Sequence, residues 1–238
     1  IIGTGNAKPA FDGRTRYGDN KHSNSIVSID LNSGNINWAF QEISHDLWDL
    51  DIGSPPIVAK LKKDQSKSID VVIAGTKLGN TIVLDAQTGD LLNDFELIKS
   101  NRSLLLDEYT PEKRIRITSP KPFAEMHVKK HDLSFLASYD IREYEIALSK
   151  LNDGISGYMM PHEPGKTSYF YGVHGGAEWP GGAYDMDSGT YFIAANHIPW
   201  AIGFAEAEQK QLKLNKEIDG YDTINKKCLN CHIGNLNR

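Results

Sequence analysis

The sequence predicts an all-β protein built from repeated antiparallel sheets. Three observations carry that prediction. A hairpin pattern of a small or apolar residue, any residue, Asp, three further residues and Gly occurs at Asp30 to Gly34, Asp85 to Gly89 and Asp185 to Gly189. In each copy Asp can cap the turn with its side chain, and Gly supplies the positive φ the turn needs. The flanks are short β-branched or alternating runs, the signature of half-buried strands. Finally, the aspartates are 55 and then 100 residues apart, which reads as one repeat interval followed by an interval with a long insertion.

The elements follow in order. Ser25-Ile26-Val27-Ser28-Ile29 is a strand, residues 30–34 turn, and Ile36, Trp38 and Phe40 alternate with polar residues. Asp70-Val71-Val72-Ile73-Ala74-Gly75 reads as a buried strand, followed by Thr81-Ile82-Val83-Leu84, the second turn and Leu91-Leu92. The third copy is Gly182-Ala183-Tyr184, its turn, and Tyr191-Phe192-Ile193-Ala194. The insertion covers about residues 99–168, and its part 110–122, rich in Pro, Lys and Arg, reads as irregular. Within it Ile141, Tyr144, Leu148 and Leu151 share one face of a short helix. A loop of this length in a compact domain serves a function or covers something. From 205 to 227 the chain turns polar and rich in helix formers, the exit towards another module.

Composition bounds the function. At 238 residues the chain is long enough for one large all-β domain or two ordinary ones. A net charge of -5 without a basic stripe argues against a nucleic-acid partner. No apolar run reaches the ~18 residues of a membrane span, and no secretory leader opens the chain. The start reads as the middle of a strand and the end follows Cys228 and Cys231 abruptly, so the chain reads as a piece of a longer protein.

Two stretches carry chemistry. Residues 43–56 place Asp46, Asp49 and Asp51 beside His45 and Trp48. Carboxylates beside an aromatic wall suit a hard cation or a base working next to one. The competing reading is a solvated acidic loop with Trp48 packed beneath it. The second stretch, Cys228-Leu229-Asn230-Cys231-His232, is the attachment signature of c-type haem. Its thiols suit the porphyrin vinyl groups and its imidazole the iron. A redox dithiol or half a zinc site are the alternatives, but neither a βαβ context nor a second cysteine pair accompanies it. Covalent haem implies a periplasmic or other extracytoplasmic location.

With these motifs in hand, the chain resembles the quinoprotein (PQQ-dependent) dehydrogenases of the membrane glucose/quinate type, with an appended cytochrome c module. The resemblance runs through Gly3-Thr4-Gly5-Asn6, the repeat from Ser28 through Asp30 and Gly34 to Trp38, and His45-Asp46-Leu47-Trp48-Asp49. It continues through Thr76-Lys77-Leu78-Gly79-Asn80, Ser119-Pro120 with Pro122-Phe123, and Glu178-Trp179-Pro180-Gly181-Gly182. It implies an eight-bladed propeller of four-stranded blades, of which residues 1–205 hold about the second half. Residues 206–238 are then linker and the start of an α-helical cytochrome c domain.

The resemblance further implies Asn6 as an amide ligand of Ca²⁺, Asp49 as catalytic base and metal contact, and Lys77 as the cation on the reactive quinone carbonyl. It places Trp179 and Asn196 near PQQ, and makes Asp51 an extra metal contact. An acid at that position suggests a lanthanide in some alcohol dehydrogenases, but glucose-type members also carry one, which favours Ca²⁺. Cys228 and Cys231 would attach haem c and His232 would ligate its iron. The implied reaction oxidises a sugar, polyol or cyclic alcohol, with electrons passing to haem, another cytochrome or a membrane quinone. The full-length protein would then be periplasmic and able to associate with the membrane. The rival reading is a haem c electron-transfer protein on a non-catalytic propeller. Trp38 reads as structural, docking between blades, and His22, His127, His131, His162 and His174 as surface or loop residues.

Overall fold

The computed structural model describes residues 1–62 and 68–203. Its strands form five antiparallel sheets. The first contains β1 (Ile2–Gly3), β2 (Ser25–Ile29) and β3 (Ile36–Gln41), and the second β4 (Ile57–Lys62), β5 (Ser68–Gly75) and β6 (Thr81–Asp85). β7 (Asp94–Lys99) pairs with β8 (Lys113–Ser119). The hairpin β10 (Gly176–Asp185)–β11 (Thr190–Asn196) lies in sequence between β9 (Thr167–Tyr171) and β12 (Pro199–Gly203), which pair with each other.

All three predicted turns form, and for the predicted reason. Asp30 Oδ1 accepts from the backbone of Asn32 at 3.0 Å and Ser33 at 2.7 Å. Asp85 does the same for Gln87 and Thr88, at 2.8 and 3.0 Å. Asp185 accepts from the Asp187 N–H at 3.0 Å and from the Ser188 hydroxyl at 2.5 Å. Gly34, Gly89 and Gly189 close the turns at φ of 73°, 77° and 69°.

The described sheets have two or three strands, fewer than the four per blade that the resemblance implies. In the second sheet the fourth position is reduced to a single bridge between Leu84 and Leu91. The Asn93 side chain takes the next partner's place, accepting from the Val83 N–H at 2.7 Å and donating to the carbonyls of Thr81 and Ser119. That amide ends one ladder while tying it to β8.

The insertion is more ordered than its composition suggests. Residues 113–119, within the stretch read as irregular, form β8, because Ile115 and Ile117 alternate with Arg114 and Arg116 at strand period. Ile117 joins the main core, and Arg114 is buried instead of solvated. After a short 3-10 turn at Lys130–Leu133 and α1 (Ser134–Ala137), the predicted helix appears as α2 (Ile141–Asp153), with Asp140 as its N-cap. Among the described residues no helix is long and apolar enough to cross a membrane.

Three apolar clusters hold the sheets together. Ile26, Trp38, Ile52, Val72, Ile82, Leu84 and Ile117 join the first three sheets. Tyr184 and Tyr191 pack on Val71 and Ile73, and the Tyr191 hydroxyl accepts from Gly75 N–H at 3.1 Å, seating β10 and β11 beside β5. The third cluster, with Trp48, Leu50, Leu78, Met126 and Phe170, lies beneath the acidic loop.

Trp38 reaches across to the neighbouring sheet. Its indole N–H donates to the Ala86 carbonyl at 3.2 Å, and a Cβ on Gly89 would come within 2.6 Å of its ring. Gly89 therefore serves both its own positive φ and the docking of Trp38. Replacing Trp38 by Ala should cost about 3–5 kcal/mol of unfolding free energy, read as a lower urea midpoint.

Candidate active site

The acidic loop after β3 is organised by the one aspartate that faces inward. Asp46 is fully buried; it accepts from the Trp48 N–H at 2.9 Å, the Leu50 N–H at 2.8 Å and the Asn24 amide at 2.9 Å. Burial pushes its carboxyl up, and these three donors work against that shift. His45, at φ 46°, is also buried, with Nδ1 2.7 Å from the Gly18 carbonyl. Burial drives its imidazole down, so it is neutral and shapes the loop. Trp48 is 1 % exposed, donates to the Met160 carbonyl at 2.9 Å and carries the Arg114 guanidinium 5.1 Å from its ring. It lies under the loop and is no wall of the site. His162, read as a surface or loop residue, does lie in a loop, but it is buried and supports the acidic loop. Its Nε2 lies 2.6 Å from the Leu47 carbonyl and its Nδ1 2.8 Å from the Ser168 hydroxyl.

With Asp46 committed to the interior, Asp49 and Asp51 project to the other side. Asp49 adopts the left-handed conformation at φ 63°, uncommon outside glycine and tolerated best by Asn and Asp. Both acids meet Lys77, which the Thr76–Asn80 turn between β5 and β6 delivers. Lys77 Nζ is 2.5 Å from Asp51 Oδ1 and 3.5 Å from Asp49 Oδ2, and it donates to the Asp49 carbonyl at 3.2 Å. Lys77 is only 8 % exposed. Burial acts to lower its pKa, but the Asp51 hydrogen bond and the charges of Asp51, Asp49 and Glu178 outweigh it and hold the ammonium above the usual lysine value.

The structure brings Gly5, the residue before Asn6, to the same place. β1 runs beside the loop, Ile52 N–H donates to the Thr4 carbonyl at 3.2 Å, and a Cβ on Gly5 would lie 4.0 Å from Asp51 Oδ2. The Asn6 amide nitrogen is buried without a hydrogen-bond partner. Two groups are additions to the sequence reading. Lys8 crosses over to Asp49 Oδ1 at 3.1 Å from an exposed position that no motif marks. Glu178 lies across Gly53 from Lys77, where an added Cβ would be 3.7 Å from Glu178 Oε2 and 3.9 Å from Lys77 Cε. Burial raises its carboxyl, with Lys77 opposing that shift, and its Oε1 is buried without a partner. Its place in the Glu178-Trp179-Pro180 motif was the available signal.

Trp179 and Asn196 stand further from this centre. Trp179 is 82 % exposed, next to Glu178 in β10. Asn196 is exposed at the end of β11, in register with Gly176, whose own Cβ would strike the Lys77 carbonyl at 2.2 Å. Cys228, Cys231 and His232 lie outside the described residues, as does the polar stretch 205–227 read as the exit towards another module.

Residues 1–230 match the family described as the glucose/ethanol/alcohol dehydrogenase β-propeller domain, PQQ. The chain belongs to this family. The match extends past residue 205, where the sequence places the end of the propeller. Relatives of this quinoprotein chain include quinoprotein glucose dehydrogenase A of Acinetobacter calcoaceticus, 28% identical over 82% of this chain and 25% of that protein. The glycerol dehydrogenase large subunit of Gluconobacter thailandicus is 27% identical over 83% of this chain and 27% of its own length. The chain thus spans about a quarter of the length of these relatives. A europium-containing methanol dehydrogenase shares the fold with a TM-score of 0.56, at 19% identity over 86% of this chain and 29% of that one.

Beneath the Lys77 turn of this PQQ-family propeller sits Glu42, a carboxyl that sequence reading passed over. It is buried, and burial drives it up to about 7 from 4.5, against the hydrogen bonds of Asn80 and Thr76. Between those two values the folded state holds a proton that the unfolded state has released, so stability falls as pH rises through the window. Across it, wild type should lose roughly 3 kcal/mol relative to Glu42→Gln. Urea unfolding of both proteins at either end of the window measures the difference.

Proposed function

We propose that the chain carries part of the reaction centre of a periplasmic PQQ-dependent dehydrogenase that oxidises a sugar, polyol or cyclic alcohol. The observation that carries this reading is the convergence of Asp49, Asp51, Lys77 and the Asn6 turn from three separate segments. Among the described residues no set of three or more His, Cys, Asp or Glu side chains is arranged for a metal. Two carboxylates meet there and the adjoining turn carries the Asn6 amide, hard oxygen ligands suited to Ca²⁺ more than to a softer ion. The Asn6 amide nitrogen is buried without a partner, and its amide oxygen is the atom that would face the cation. Asn6, Asp49 and Asp51 would hold Ca²⁺, with its remaining ligands drawn from PQQ and from other parts of the protein.

When bound, Ca²⁺-PQQ supplies a polarised quinone carbonyl that accepts hydride. The chain's own residues do the rest. Asp49 takes the substrate hydroxyl proton on its carboxylate, so that loss of hydride from the carbon leaves a neutral carbonyl or lactone. Lys77 donates a hydrogen bond to the oxygen on which negative charge develops, and its high pKa keeps it cationic at neutral pH. Asp46 and Trp48 hold the loop so that Asp49 stays beside Lys77. Trp179 and Asn196 extend the cofactor surface from β10 and β11. Cys228 and Cys231 would attach haem c and His232 would ligate it, giving the two electrons a route to a cytochrome or quinone.

The test is a panel of sugars and alcohols offered to the full-length protein with PQQ, Ca²⁺ and an artificial electron acceptor. Oxidation of at least one is expected, with Asp49→Asn lowering kcat by roughly 10²–10⁴-fold. An inactive wild type, or an Asp49→Asn protein as active as wild type, would return the chain to a haem c carrier on a passive propeller.

A further inference from the structure

Glu42 has no place in the mechanism above, yet it bridges the two segments that meet there. Its backbone N–H donates to the Asn24 carbonyl at 3.0 Å. The Asn24 side chain in turn donates to Asp46 and to the Leu50 carbonyl, inside the loop that carries Asp49 and Asp51. The Glu42 side chain points the other way. Its Oε1 accepts from the Thr76 hydroxyl at 2.9 Å and from the Asn80 amide at 2.7 Å. Thr76 and Asn80 are the two ends of the turn whose second residue is Lys77. The turn also closes on itself, with Asn80 N–H donating to Thr76 Oγ1 at 3.2 Å and Thr76 N–H to the Asn80 carbonyl at 2.9 Å.

We propose that Glu42 is the positioning residue for Lys77: by clamping both ends of the Thr76–Asn80 turn to the Asp46 loop, it fixes the ammonium against Asp49 and Asp51. The catalytic significance of this clamp rests on the reading of Lys77 given above. Two features support it. Glu42 is only 5 % exposed, its Oε2 has no hydrogen-bond partner, and among the described residues no cation pairs with it. A carboxyl buried so poorly compensated destabilises the fold, so stability gives no reason for an acid here. The two donors it receives are also neutral. What they require is one acceptor oxygen with two lone pairs, which an amide supplies as well as a carboxylate and an aliphatic side chain does not. The competing arrangement is that backbone bonds alone hold the turn, through Ala177 N–H to the Thr76 carbonyl at 2.9 Å and Phe123 N–H to the Gly79 carbonyl at 2.8 Å.

Glu42→Val and Glu42→Gln separate the two. The first readout needs no cofactor: limited acetylation of the unloaded full-length protein, with peptide mass spectrometry comparing Lys77 to the exposed Lys60. Glu42→Val should raise Lys77 labelling several-fold relative to Lys60, because the ammonium leaves its carboxylates, while Glu42→Gln should match wild type. In the loaded enzyme Glu42→Val should lower kcat by about tenfold with KM little changed, and Glu42→Gln should restore most of it. Should Glu42→Val not fold, Thr76→Val and Asn80→Ala each remove one donor from the same oxygen and should each raise Lys77 labelling. Unchanged labelling in these variants, or a Glu42→Gln protein that behaves like Glu42→Val, overturns the proposal. An inactive wild type with the expected labelling pattern would instead count against the dehydrogenase reading and leave the clamp standing.

Discussion

A nearly buried ammonium group is stable only beside opposite charge, and among the described residues that condition is met where Lys77 lies between Asp49 and Asp51. The pair of contacts spans two sheets. Lys77 belongs to the turn that joins β5 to β6, and the aspartates belong to the loop that leaves β3. Neither segment fixes the geometry alone. The loop is shaped from inside by Asp46, His45 and Trp48, and the turn is held from below by Glu42 and from the side by the start of β10. The side chains that meet at Lys77 are thus few, and those that hold their segments in place are more numerous and more deeply buried.

This division of labour explains why three aspartates in six residues have three different fates. Asp46 spends its carboxylate on two backbone N–H groups and an amide, a substitute for the ladder that the loop has left. Asp49 adopts a positive φ, which turns its side chain back towards Lys77 and Lys8. Asp51, just before Ile52 enters the main core, takes the shorter of the two contacts to the lysine. Glu178, from a strand more than a hundred residues later, completes the acidic side of the cluster. Against these three carboxylates stand Lys77 and the exposed Lys8, and the acidic excess is a chemical reason for the site to favour a cation.

Features written in local chemistry could be read in advance. The Asp-to-Gly turns at 30, 85 and 185 are closed by atoms within five residues of one another, so spacing alone reveals them. Helix α2 follows from one apolar face and an Asp cap. Composition misled where periodicity was the better guide. Residues 113–119 look basic and irregular, yet Ile115 and Ile117 alternate as a strand must. The buried role of His162, read as a surface or loop residue, and that of Glu42, not singled out at all, were hidden for a different reason. Their partners, Leu47 in one case and Thr76 and Asn80 in the other, are far along the chain, and nothing in the flanking residues announces them.

The repeated hairpins and the cluster of three acids were legible in residue types at fixed local spacing, while the family and Lys77 came from the resemblance that the ordered motifs carry. Only the folded chain separates the interior acid, Asp46, from the two that meet Lys77, sets Trp48 beneath the loop, and draws in Glu178, Lys8 and Glu42. Those outcomes depend on burial and on contacts between distant segments, and one-dimensional spacing encodes neither. The acidic loop remains the centre of the molecule, with Asp49 facing Lys77 because Asp46 faces the core.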